Sequence, residues 1–138
     1  MKIKELEEIR EMRAALAKKI KDGGQQALGA AFRAFFEAHP TVEAIRWNQF
    51  TPYFNDGEPC TFHVHDFYRR IFGDDPHGGD YGDGFNYIGY GAKDAESEAF
   101  REFERAIKDD DIFLAVFGNH VKVTANRAGF EVEEYDHD

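Results

Sequence analysis

His63-Val64-His65 is the first pattern in the chain whose spacing could do chemistry. On a strand, residues two apart share a face, so both imidazoles could chelate one metal ion and serve a metal-dependent hydrolase. Asp66, Glu131, Glu133 and the tail from Asp136 to Asp138 offer carboxylates, but no spacing singles out a third ligand. Strand parity puts Cys60 on the opposite face from His63, where it reads as a small core residue and not a thiol nucleophile. Arg69 and Arg70, beside Tyr68, form the best local cationic spot. Guanidinium groups suit phosphate through paired hydrogen bonds. The run from Trp47 to Phe62 is dense in rings, amides and turn residues. Asn55-Asp56-Gly57 suffices to reverse the chain, so Trp47, Asn48, Gln49 and Thr51 exceed what a hairpin needs and suggest a binding surface. The glycine-rich run Gly82 to Gly91 would let a ligand approach the backbone, with Tyr87 or Tyr90 stacking on a flat base.

Other chemistries lack their signatures. The glycine-rich run has neither the Gly-Lys-Ser/Thr ending of a phosphate loop nor the preceding strand of a dinucleotide site. Asn55-Asp56-Gly57-Glu58 matches a calcium loop in composition alone, because Pro59 and Cys60 follow. No nucleophile elbow is visible. No cofactor is expected.

The formal net charge is −10. Such a charge repels phosphate backbones within a Debye length of about 8–10 Å, which argues against nonspecific nucleic-acid binding. It leaves room for a local basic pocket that takes a small anion, or for an acidic surface that imitates nucleic acid. The single cysteine suits a reducing compartment. No apolar run approaches the ~20 residues that cross a bilayer, so a cytoplasmic protein without membrane contact is expected.

The elements that must position these groups follow from periodicity. Ile3, Leu6, Ile9, Leu16 and Ile20 predict a helix over 2–21, ended by Asp22-Gly23-Gly24. Leu28, Phe32, Phe35 and Phe36 predict a second over 25–39, stopped by Pro40. Residues 42–50 and 59–68 read as a hairpin, and 120–126 with 129–135 as another. Between them, 73–93 read as a functional loop or lid. Asp94 should cap a helix over 95–108, and Asp109 to Asp111 should open a short one over 112–117. The sum is α+β: an antiparallel sheet of about four strands in two β-hairpins, an N-terminal helical hairpin, and one or two further helices on one face. Residues 1–138 form one domain, with 1–39 as an oligomerisation element and 40–138 as the α+β core. The N-terminal seam spans only three heptads, so it should dock on the domain or on another subunit.

The run Trp47 to Phe62 and the ending Glu131-Val-Glu-Glu-Tyr-Asp-His-Asp138 resemble uncharacterised small proteins of bacteria and their phages. The resemblance supplies no activity or site residues. It implies a phage or mobile-element setting, in which small accessory proteins counter host defence. The expectation is therefore a noncatalytic protein that sequesters a small nucleotide-like ligand and forms a homo-oligomer through its N-terminal helix. Trp47, Tyr53, Tyr87 and Tyr90 would stack, Asn48, Gln49 and Asn55 would read polar edges, and Arg69 and Arg70 would meet phosphate. The alternatives are an acidic nucleic-acid mimic that inhibits a host defence protein, and the hydrolase built on His63 and His65.

Overall fold

Strand β1 (Val42–Phe50) is the axis of the molecule. Its alternation buries Ile45, Trp47 and Gln49 on one face and turns Arg46, Asn48 and Phe50 to the other. The computed structural model describes residues 3–52 and 60–136. Before β1 comes α1 (Ile3–Ala38); after it come β2 (His63–Val64), β3 (Tyr68–Ile71), β4 (Asn86–Tyr87), α2 (Ala95–Ile107), α3 (Asp110–Phe117), β5 (Val121–Asn126) and β6 (Gly129–Glu134). The fold is α+β, with three helices among the described residues and an antiparallel open sheet in the order β4-β3-β1-β5-β6. β2 also pairs with β1, through Gln49–Val64 and Phe50–His63.

The second hairpin is where periodicity puts it. β5 and β6 pair from Val121–Glu134 to Asn126–Gly129. The return arm of the first hairpin is split, because β2 and β3 both pair with β1 and are separated by His65 to Phe67. That split, and β4 within the glycine-rich segment, raise the strand count to six. The turn at Asn55-Asp56-Gly57 lies outside the described residues. Cys60 is exposed and not in the core. Only its face-mates Phe62 and Val64 pack inward, so strand alternation was extended too far toward the turn.

The N-terminal helical hairpin is instead one helix of 36 residues. Asp22-Gly23-Gly24 does not end it. A side chain at Gly24 would sit 3.0 Å from Cγ2 of both Ile112 and Val116. The glycine lets α3 approach the α1 backbone, and that packing offsets the ~1 kcal/mol propensity cost of each helical glycine. From Leu28 onward α1 is anchored in the core, whereas residues 3–23 are exposed.

The core lies between the inner sheet face and the helices. Trp47 stacks on Phe32 and Phe67, at ring separations of 5.6 and 4.8 Å. Phe32, Phe36, Phe67, Phe100 and Phe113 are fully buried, each stabilising by about 1.5–3 kcal/mol. Asp94 caps α2 and Asp109 caps α3, by accepting from the backbone N–H groups of Ser97 and Ile112.

The glycine-rich segment packs on the outer face of the sheet. Phe85 is completely buried there between two guanidinium groups, Arg46 at 4.3 Å and Arg70 at 4.7 Å from its ring centre. Glycines permit the approach. At Gly79 a Cβ would fall 2.3 Å from the Phe85 carbonyl oxygen, and at Gly84 one would fall 2.9 Å from Arg70 Cδ. Both have positive φ, which side chains rarely adopt. No described helix is long and apolar enough to cross a membrane.

Candidate functional site

The structure scatters the residues that the sequence grouped. Trp47 is sealed in the core, and its indole N–H donates to Gln49 Oε1 at 2.9 Å. The Gln49 amide donates to the carbonyls of Phe113 and Gly118, at 2.9 and 2.7 Å. These two residues tie the end of α3 to the central strand and reach no ligand. Asn48 faces outward and accepts from the Tyr81 hydroxyl. Burial raises the Tyr81 phenol above its usual pKa, opposed by this bond and by Arg46. Tyr53 and Asn55 lie outside the described residues.

Arg69 and Arg70 are neighbours on a strand and so point to opposite faces. Arg70 pairs with Glu43 at 2.9 Å on the outer face and donates to the Asp83 carbonyl. Arg69 is buried on the inner side, 5.7 Å from the centre of the Phe100 ring. Desolvation lowers its pKa from the usual range, against the attraction of Asp94, Glu96 and Asp74. The pair forms no common anion clamp.

His63 and His65 do share the outer side. Their ring centres are 6.4 Å apart, His65 stacks on Phe50 at 4.0 Å, and His63 Nδ1 is 3.3 Å from Asp110 Oδ2. Among the described residues, no three His, Cys, Asp or Glu side chains gather closely enough to hold a metal ion.

Tyr87 and Tyr90 are the expected ligand-stacking residues that do reach solvent, 45% and 68% exposed. They stand at the end of the glycine-rich segment, facing α2 across a recess of about 130 Å³. Its opposite wall carries Arg101, Arg105 and Lys108 together with Glu104, and Asp66 also lines it. Arg101 donates to the Gly89 carbonyl at 2.7 Å, and its guanidinium lies 5.5 Å from the Tyr90 ring centre. Lys108 is paired with Glu104. A shallower hollow on the other side of Tyr90 is lined by Lys93, Arg101 and Arg105 and also by Glu98 and Glu102. Larger troughs lie beside α1, at about 540 Å³, and beside Asn119, at about 570 Å³. Neither sets two exposed tyrosines opposite cations. Residues 101, 105 and 108 recur at the four-and-three spacing of one helix face, which is the signal in the sequence that marks this wall.

No protein-family model, curated protein or solved structure matches this chain. Its own geometry is the basis for a functional reading.

Proposed function

We propose that the protein is a noncatalytic binding protein that captures a small phosphorylated ligand with a flat ring, such as a nucleotide, between Tyr87, Tyr90 and the cationic face of α2. The observation that carries this is the facing of two exposed tyrosines and Arg101, Arg105 and Lys108 in a chain of net charge −10. A volume of about 130 Å³ is below the ~300–1,000 Å³ of drug-sized ligand pockets. The recess therefore takes one ring or one phosphate, and the rest of the ligand lies toward Lys93 in the shallower hollow. Stacking on one tyrosine contributes about 1–3 kcal/mol. Self-association through α1 is part of this proposal, and so is a counter-defence setting, which follows from the resemblance to small phage proteins.

Isothermal titration against linear and cyclic nucleotides tests the reading. Binding should weaken by about tenfold in Tyr90→Ala and in Arg105→Ala, each close to the 1.4 kcal/mol that a factor of ten represents. Absence of heat with every nucleotide rejects it. The acidic-mimic reading is favoured by β6, an edge strand that exposes Glu131, Glu133 and Glu134. It requires a basic protein partner whose affinity falls steeply with salt.

A further inference from the structure

We infer that the projecting half of α1 pairs antiparallel with the same half of a second copy of this chain. The inference rests on the proposal that α1 is the oligomerisation element, and it adds the direction of pairing.

Residues 3–23 extend about 30 Å beyond the point where α3 meets α1. Leu6, Ile9, Leu16 and Ile20 are 39%, 41%, 58% and 43% exposed. At 100° per residue they fall within an arc of about 80°. Among the described residues, nothing buries this stripe in the single chain. Most helical stability in proteins comes from packing an amphipathic face, and Gly23 and Gly24 weaken the root of this segment.

The charges indicate the occupant. Residues 3–11 carry Glu5, Glu7, Glu8 and Glu11 against Lys4 and Arg10; residues 12–23 carry Arg13, Lys18, Lys19 and Lys21 against Asp22. Within one helix this arrangement sets like charges three or four apart, as in Glu7–Glu11 and Lys18–Lys21, which costs stability. The helix dipole favours acids in the first turn but does not account for bases in the middle of a 36-residue helix. A parallel, in-register copy would lay acid beside acid and set Arg13 against Arg13 within the stripe. An antiparallel copy reverses both effects. With the two-fold axis near Glu11, Leu6 meets Leu16, Ile20 comes near Ile3, and Glu5 flanks Lys19 on each side. Such an interface is self-complementary and closes at two chains.

Light scattering on the full chain and cysteine cross-linking test this in a Cys60→Ser background. Glu5→Cys and Lys19→Cys flank the stripe on the same side. Wild type should have twice the chain mass, and Leu16→Glu, at an exposed position, should have the single-chain mass with an unchanged unfolding midpoint for the body. Oxidising a mixture of the two cysteine variants should join position 5 to position 19, while each variant alone stays uncross-linked. Cross-links from 5 to 5 and 19 to 19 in a dimer would overturn the antiparallel direction and leave self-association standing. A single-chain mass for wild type at tens of micromolar would overturn both.

Discussion

Gln49 shows how a residue suited to reading a ligand's edge can instead be a structural fastener. Its amide accepts from Trp47 and donates to two carbonyls at the end of α3. Gln49→Leu leaves those buried groups unpaired, so it should cost about 2–4 kcal/mol. Urea unfolding measures this, and a loss under about 1 kcal/mol would contradict the assigned role. Tyr81→Phe removes the bond to Asn48 and should cost about 0.5–1.5 kcal/mol. The raised Tyr81 pKa adds a pH dependence: its contribution is full below the ordinary tyrosine pKa and is lost as pH rises through the raised value. Tyr81→Phe should therefore flatten the alkaline decline in stability. Asp94 works in the opposite direction. Its bonds to Ser97 lower its pKa, so its contribution is full above the ordinary carboxylate pKa and is lost as pH falls through the lowered value. Asp94→Asn keeps a capping side chain without titrating there, so the acid limb should become shallower in unfolding curves below pH ~4. At this scale the residue types were legible, but Trp47 and Gln49 were misplaced. Periodicity reports which face a residue takes, and both faces of β1 are covered, one by helices and the other in part by the glycine-rich segment.

Among the elements, strands and short helices were readable because each carries a local signal: alternation in β5 and β6, and capping acids at Asp94 and Asp109. Helix α1 was not. Asp22-Gly23-Gly24 carries a helix-stop signal, and only the approach of Ile112 and Val116 explains why the helix continues. The two glycines should respond differently. Nothing lies within 4 Å of a Cβ at Gly23, so Gly23→Ala should stabilise by about 0.5–1 kcal/mol. At Gly24 the same change meets two methyl groups at 3.0 Å, and crowding should cancel the gain. Thermal unfolding should show a rise of about 2–4 °C for Gly23→Ala and none for Gly24→Ala. Equal rises would mean that α3 does not depend on the bare backbone. The glycine-rich segment packs onto the sheet. Its glycines serve a close approach to the sheet at Phe85, and the tyrosines beyond it form a wall of the recess.

For the whole molecule, a core built on aromatic rings holds an α+β body, α1 projects from one side, and a small recess gathers three cations and two carboxylates in an acidic chain. Its fold class was legible because the helical and strand patterns occupy separate stretches of sequence. The recess was half legible: Tyr87 and Tyr90 stood out by type, whereas Arg101, Arg105 and Lys108 enter through a tertiary contact between α2 and the glycine-rich segment. Amide chemical-shift mapping during titration with a nucleotide tests the capture model most directly. Shifts should concentrate at residues 87–90 and 101–108, with little change at 47–49 in the sealed core. Shifts centred on the first hairpin, or none at millimolar ligand, would contradict it.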